Sequence, residues 1–182
     1  MSDKCFKQLP IGNENFAYII QNGGYYIDKT SYIKKVFTNL SPVILFTRPR
    51  RFGKTLLMDM FKSFLRVAPD GSSNREYKEK LFAGLEILKD KEFTDKYLGQ
   101  FPVISFSLKG VFGKDYNAAY EALAFTLSNL FKDFLFLNDS EKLLDSEKES
   151  LKLLQDFNYL STPKAEKYIV SSLEFLSSCL YK

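Results

Sequence analysis

The sequence contains no histidine and only two cysteines, and these absences exclude several kinds of site. Without histidine the chain cannot build a Ser-His-Asp triad or a histidine-ligated metal site. Cys5 and Cys179 lie near opposite ends of the 182 residues, a spacing that fits neither a zinc site nor a disulfide framework. Any chemistry must therefore use lysine, arginine, carboxylates, hydroxyls, backbone amides or a bound cation.

Long apolar runs are absent as well. No segment approaches the roughly 20 apolar residues that span a bilayer, and residues 1–16 lack the apolar core of a signal peptide. The composition, 45% hydrophobic and 26% charged, is typical of a soluble globular protein. We therefore expect a cytoplasmic protein without a membrane partner.

Arginine is scarce and unevenly placed. The chain has five arginines against 21 lysines, and Arg48, Arg50 and Arg51 fall within four residues. The guanidinium group differs from an ammonium in its planar fork, which can hold a phosphate with two hydrogen bonds. The net charge of +4 does not by itself indicate a nucleic-acid partner. The arginine cluster indicates a local functional site.

The sequence around this cluster passes from an apolar run to a polar loop and then to a helical pattern. Val43–Phe46 is a continuous apolar run, which favours a central parallel strand covered on both faces. A polar loop follows as far as Gly53, and from Lys54 the apolar residues recur with a helical period. These residues are Leu56, Leu57, Met60, Phe61, Phe64 and Leu65. The predicted order is strand, loop and amphipathic helix.

The loop ends in Gly53-Lys54-Thr55, which matches the end of the Walker A pattern G-x-x-x-x-G-K-[ST], with Arg48 in place of the first glycine. In such a loop the amides of a helix N-terminus face the phosphates, the lysine reaches them and the hydroxyl coordinates Mg²⁺. A surface loop with a solvated lysine is the alternative, and the strand and helix on either side favour phosphate binding. We expect ATP or ADP with Mg²⁺, with Thr55 as the metal ligand. The expected nucleotide-binding loop comprises Arg48, Pro49, Arg50, Arg51, Phe52, Gly53, Lys54 and Thr55.

The rest of the chain alternates between strand and helix patterns. Tyr25–Ile27 and the alternating segment Val103–Leu108 are expected to be strands. Helices are expected from Thr30 or Ser31 to Asn39, in two parts between Glu76 and Gln100 with a break near Gly84, from Asp115 to Leu137, from Ser140 to Phe157, and from Thr162-Pro163 onward. This βαβα order predicts an α/β, P-loop NTPase-like fold with an incomplete, mostly parallel sheet flanked by helices.

Four segments resemble the AAA-ATPase-like family of bacterial predicted ATPases. They are LPIGNENFAYIIQNGGYYIDKTSYIKKV, VILFTRPRRFGKTLLMDMF, KLFAGLEI and FPVISFSLKGV. The family's own loop reads RPRRFGKS or RPRRFGKT, so Arg48 agrees with its pattern. The resemblance implies ATP binding, and it places the DKT motif, with Asp28, beside the nucleotide; a helix entry with a solvated lysine is the equal alternative for that motif.

The resemblance also implies a Walker B strand ending in Asp-Glu, which this sequence lacks. We expect residues 1–182 to form a single truncated P-loop ATPase-like domain. Its parts are an N-terminal segment (1–40), the strand, loop and helix around the phosphate site (41–67), and a second strand with a helical region (68–182). Hydrolysis needs an acid that holds Mg²⁺ and a group that orients water. We expect nucleotide binding with negligible turnover, which a phosphate-release assay measures; whether the chain is an enzyme stays open.

Two other functions fit the same residues. The patch from Arg48 to Arg51, with Phe52, Tyr25 and Tyr26 as stacking platforms, would suit a nucleic-acid-binding module, although core packing is the simpler role for the aromatic residues. A non-enzymatic remnant or assembly module would keep the fold without turnover. An incomplete sheet would also expose strand edges, which favours self-association.

Overall fold

The structure is a computed structural model that describes residues 7–72 and 74–182. Contacts group the described residues into two compact units. Unit 1 consists of residues 7–67 and 74–103, and unit 2 consists of residues 68–72 and 104–182. Each unit has its own hydrophobic core. The phosphate-loop sequence lies in unit 1.

Unit 1 is built from short helices. They are α1 (Phe16–Gln21), α2 (Ser31–Phe37), α3 (Lys54–Leu65), α4 (Arg75–Leu81), the 3₁₀ helix Glu86–Lys89 and α5 (Lys91–Tyr97). The helical period predicted from Lys54 is confirmed by α3, which buries Met60, Phe64 and Leu65. The expected break near Gly84 is confirmed too, because α4 ends before it and α5 begins after it. Helices this short depend on tertiary packing for their stability.

Two side chains bind the backbone at the start of α1, one from the residue before the helix and one from a distant helix. The first turn of α1 is capped by Asn15, which accepts a hydrogen bond from Tyr18 N at 2.8 Å. Asp59 of α3 accepts a second one from Phe16 N at 2.7 Å. The ring of Phe16 then packs on Phe82, with 4.9 Å between ring centroids. The α1 helix, which was not predicted, is therefore fixed by α3 and by the aromatic core.

Unit 2 contains longer helices. They are α6 (Tyr116–Lys132), the 3₁₀ helix Leu135–Asp139, α7 (Asp145–Gln155), α8 (Phe157–Leu160), the 3₁₀ helix Pro163–Ala165 and α9 (Glu166–Tyr181). Asp115 caps α6 as predicted, because its carboxylate accepts from Ala118 N at 2.9 Å. Pro163 opens the segment that leads into α9, as the Thr-Pro pair predicted. Amphipathic stripes of these helices form the unit 2 core.

The expected α/β fold with an incomplete, mostly parallel sheet is wrong. The structure is about 57% helical. Residues 7–72 and 74–182 contain no strand, and their single β contact is an isolated parallel bridge between Arg66 and Phe101. The three segments expected as strands, Tyr25–Ile27, Val43–Phe46 and Val103–Leu108, take part in no β ladder within the described residues.

The physical reason is that an apolar run indicates burial but does not supply a hydrogen-bonding neighbour. A strand exists only where another strand pairs with its N–H and C=O groups. Val43 and Leu45 are 79% and 82% exposed, so this run is not covered on both faces as a central strand would be. Ile104 and Phe106 do pack on the unit 2 core while the serines between and after them are exposed. Leu108, the third residue of the expected apolar face, is 63% exposed, so the alternation marked two partly buried residues but neither a continuous face nor a sheet.

Candidate functional site

The loop before α3 has an unusual backbone. Gly53 precedes the helix in the left-handed conformation, with φ 71° and ψ 28°. Arg51 also has a positive φ, 67°, which costs a residue with a side chain roughly 1–2 kcal/mol. A left-handed residue next to right-handed ones turns successive N–H groups toward one point, and such concavities bind anions. The strain at Arg51 therefore lies next to a backbone turn of a kind that can bind anions.

The side chain of Lys54 closes this loop. Its Nζ donates to the carbonyl oxygens of Arg48, at 2.6 Å, and Pro49, at 3.1 Å. Two of the three ammonium N–H groups are used in this way, and one remains for a further acceptor. The loop thus curls around the amine of Lys54, the first residue of α3.

The N-terminus of α3 carries free amide donors. The first helical hydrogen bond runs from Leu57 N to Gly53 O at 2.9 Å, and the cap residue supplies no side-chain acceptor. The amides of Lys54, Thr55 and Leu56 precede that bond in the chain and have no acceptor within the helix. With the helix dipole, they form a positive end directed at the loop. Thr55 is exposed in this first turn, so its hydroxyl is accessible.

Within residues 7–72 and 74–182, the cations of this loop form no ion pair with a carboxylate. Among the described residues, ion pairs hold Lys34 to Asp90, Arg75 to Glu79 and Asp95, Lys80 to Glu76, and Lys89 to Glu86. None of these ion pairs includes Arg48, Arg50, Arg51, Lys54 or Lys29. These ion pairs neutralise part of the positive charge of unit 1 away from the loop and, among the described residues, leave the loop cations uncompensated, which suits an anionic ligand.

The DKT motif links two parts of unit 1. The carboxylate of Asp28 accepts from Thr30 N at 2.8 Å, from Thr30 Oγ1 at 2.7 Å and from Glu86 N at 2.7 Å. Thr30, fully buried, accepts in turn from Ile87 N at 3.1 Å. Burial would raise the pKa of Asp28, but the Glu86 and Thr30 donors together with the charge of Lys89 hold it below its usual value. Asp28 and Thr30 thus join the entry of α2 to the 3₁₀ helix.

Lys29, between these two residues, lies at the phosphate loop. Its Nζ is 4.0 Å from the position that a Cβ on Gly53 would occupy. The resemblance singled out Asp28 of this motif as a nucleotide contact, which stays a prediction. In the structure Asp28 accepts from the backbone amides of Thr30 and Glu86, and the neighbouring Lys29 lies at the loop. The adjacency of the motif's residues could have suggested Lys29, but only the folded chain brings it beside Gly53.

Aromatic residues surround the same region. Tyr25 and Phe52 are exposed, whereas Tyr26 is partly buried and donates from its hydroxyl to Met60 Sδ at 3.3 Å. Burial raises the pKa of Tyr26 to about 12. These residues, with Lys29 and the start of α3, line a cavity of about 290 Å³. Core packing accounts for Tyr26 alone of the three aromatics weighed as stacking platforms.

The structure limits which groups could coordinate the expected magnesium ion. The described residues contain no group of three or more histidine, cysteine or carboxylate side chains that could hold an ion. A magnesium ion at this site would therefore take its oxygen ligands from the phosphates, from water and from the Thr55 hydroxyl, an arrangement that Mg²⁺ commonly accepts. No helix in the part of the chain that the structure describes is long and apolar enough to cross a membrane.

Comparison with known proteins identifies the family of the chain. A family model described as predicted AAA-ATPase matches residues 10–171. A protein of Azotobacter chroococcum mcd 1, described as an uncharacterized protein in the vnfD 5' region, is 31% identical over 105 residues. That match covers 57% of this chain and 17% of the relative's length. No solved structure matches the chain. The family match extends across the phosphate loop, the DKT motif and most of unit 2, and the chain belongs to this family of predicted AAA-ATPases.

Proposed function

We propose that this chain binds the phosphates of a nucleoside triphosphate or diphosphate, ATP or ADP with Mg²⁺, at the loop Arg48–Thr55. The observation that carries the proposal is the group of cations without ion-pair partners around the free amides of α3. A phosphate chain is the common cellular ligand that would satisfy both features at once. Membership in a family of predicted AAA-ATPases supports the same ligand.

Each residue of the loop has a distinct task in this proposal. Lys54 gives its remaining N–H to a phosphate oxygen while its bonds to Arg48 O and Pro49 O keep the loop closed. The amides of the first turn of α3 donate to the same phosphate group. Arg50 and Arg51 hold outer oxygens, because their guanidinium groups can donate two parallel bonds. Thr55 contributes its hydroxyl to Mg²⁺, which would neutralise part of the phosphate charge when bound.

Removing the Lys54 amine tests the proposal. Lys54→Ala should weaken binding of Mg-ATP about ten- to a hundredfold, because a charge-assisted hydrogen bond contributes roughly 1.5–3 kcal/mol. Isothermal titration calorimetry on the purified chain measures this change. Lys91→Ala is the matched control, since Lys91 is exposed and is likewise the first residue of a helix, α5. Equal affinity of wild type and Lys54→Ala for Mg-ATP would refute phosphate binding at this loop.

A second function is favoured by one specific observation. Phe52 and Tyr25 are 63% and 50% exposed next to the arginines of the loop, as in surfaces that stack single-stranded nucleic acid. Binding of a fluorescent single-stranded oligonucleotide would then weaken steeply with salt and persist in excess Mg-ATP. Loss of the oligonucleotide signal on addition of Mg-ATP would instead favour the nucleotide site. If neither ligand binds, the chain is better described as a non-enzymatic assembly module.

A further inference from the structure

The cavity beside the phosphate loop has a different chemical character from the loop itself. It lies between the segment Tyr25–Ile27 and the beginning of α3, and its walls include Phe52, Leu56 and Leu57. Apart from Lys29 and Arg51, the side chains that line it are aromatic or aliphatic. Phosphate oxygens would gain little from such walls, whereas a flat, weakly polar ring would be well accommodated.

The size of the cavity limits what it can contain. Its volume of about 290 Å³ lies at the lower end of the range of small-molecule pockets, roughly 300–1,000 Å³. A space of this size suits one ring system better than a whole nucleoside triphosphate. The charged part of such a ligand then lies toward the amides of α3 and toward Lys29 and Arg51, the two cations of the cavity wall.

Two aromatic faces give this cavity a preference for a ring. Tyr25 and Phe52 line it and are half or more exposed, so their apolar faces are in contact with water. Stacking a planar ligand on them removes that surface from water and adds the attraction between aromatic faces. Tyr26 is less available, because its hydroxyl is bonded to Met60 and its ring packs edge-on against Phe16.

We propose that this cavity holds the nucleobase of the ligand, stacked on Tyr25 and Phe52, while the loop Arg48–Thr55 holds the phosphates. The inference rests on the proposed function and extends it from phosphate binding to recognition of a nucleotide. Lys29 lies at the junction, since it lines the cavity and its Nζ is near Gly53. The ligand then passes from an apolar end to a cationic end within unit 1.

Comparing the affinities for two ligands distinguishes binding at the base site from binding at the phosphate site. Mg-ATP carries both parts, and magnesium tripolyphosphate carries only the phosphates. Phe52→Ala should weaken Mg-ATP binding about tenfold, the order expected for removing one stacking face, and should leave tripolyphosphate affinity within about twofold. Phe52→Trp keeps an aromatic face and should retain the affinity for Mg-ATP. Tyr18→Ala removes an exposed aromatic residue outside the cavity and should change neither affinity.

Isothermal titration calorimetry of wild type and these three variants distinguishes the possible outcomes. Unchanged Mg-ATP affinity in Phe52→Ala, or an equal loss for both ligands, overturns the base site. Equal wild-type affinity for the two ligands overturns it as well, and leaves the phosphate site standing. Failure of wild type to bind either ligand overturns the proposed function and the base site together. Lys54→Ala, which should weaken both ligands alike, marks the phosphate contribution in the same experiment.

Discussion

The two units of the molecule are stabilised in different ways. The core of unit 1 is aromatic, with Phe16, Phe64, Phe82 and Phe93 buried together, and the helices around it are short. The core of unit 2 is dominated by leucine from longer helices. Unit 1 also depends on polar ties across long stretches of sequence, such as Asp28 to Glu86. Unit 2 combines amphipathic stripes and local caps such as Asp115 with fewer buried polar ties, such as the bond from Ser128 Oγ to Gln155 O.

This difference bears on the binding site proposed for unit 1. Long helices that bury a continuous stripe leave few backbone groups free, because their amides are bonded within the helix. Short helices joined by irregular segments leave amides and carbonyls that other groups must satisfy. In unit 1 these groups are satisfied by Asp28, Asp59 and Lys54, and the N-terminus of α3 is left with free donors.

The largest expected effect on stability comes from a buried charged residue, which distinguishes unit 1 from unit 2. Unit 1 buries Lys78, whose Nζ donates to Ser63 O, whereas the buried polar residues of unit 2 are uncharged. Burial, helped by the positive charge of Arg66, lowers the pKa of Lys78 to about 8. Between that pH and about 10.4, the ordinary lysine value, the unfolded chain binds more protons than the folded one. The free energy of unfolding should therefore rise with pH across this window, by up to about 3 kcal/mol.

Replacing the lysine isolates this contribution. Lys78→Met keeps a long side chain in the same space but cannot titrate. Urea unfolding of both proteins at several pH values from 7 to about 10.4 measures the difference between them, in which the titration of other residues cancels. The wild-type curve should gain stability relative to the variant as pH rises. Parallel pH profiles would show that Lys78 keeps its ordinary pKa in the fold.

A smaller change in stability is expected on removing Asp28, which binds a distant backbone amide, or Asp115, which caps its own helix. Asp28→Ala removes the acceptor of three hydrogen bonds, two of them from backbone amides, and should cost about 2 kcal/mol. Asp115→Ala removes the cap of α6 and should cost about 1 kcal/mol. Urea unfolding at neutral pH measures both. An equal or larger loss in Asp115→Ala would contradict the view that unit 1 depends on its long-range polar ties.

The pH dependence of the Asp28 effect has a definite sign. The pKa of Asp28 is lowered in the fold, so its contribution to stability is present above the ordinary aspartate value of about 3.9. That contribution is lost as pH falls through the lower, folded value, because the carboxyl must then be protonated in both states. The stability difference between wild type and Asp28→Ala should therefore shrink below about pH 4, as urea unfolding in acid would show.

The smallest expected effect concerns backbone conformation at the site. Gly53→Ala places a side chain at φ 71° and should cost about 1 kcal/mol, although the added Cβ would meet only Lys29 Nζ, in ordinary contact at 4.0 Å. Gly110→Ala in unit 2 enters open space, at a φ outside the left-handed region, and should change stability by less than about 0.5 kcal/mol. Thermal unfolding of the two variants measures the contrast. Equal changes would mean that the left-handed turn before α3 is not maintained in solution.

Several features follow from the sequence alone. The apolar stripe that begins at Lys54 predicted α3, and Asp115 predicted the start of α6, because periodicity and capping depend only on residues within a few positions. The motif RPRRFGKT with its neighbouring segments predicted the family, which is confirmed. Nucleotide binding, magnesium and the role of the individual loop residues stay predictions that the titrations above address.

Other features were decided only by the tertiary structure. The apolar run Val43–Phe46 looked like a strand, yet a strand requires a partner that no local pattern can guarantee. The contact between Asp28 and a nucleotide stays a prediction, and the hydrogen bond that Asp28 accepts from Glu86 N, 58 positions away, depends on the fold. Lys29 reached the loop for the same reason. Local sequence fixes helix periods and caps through short-range sterics and hydrogen bonds, whereas the partners of strands, carboxylates and site cations depend on which distant segments the folded core brings together.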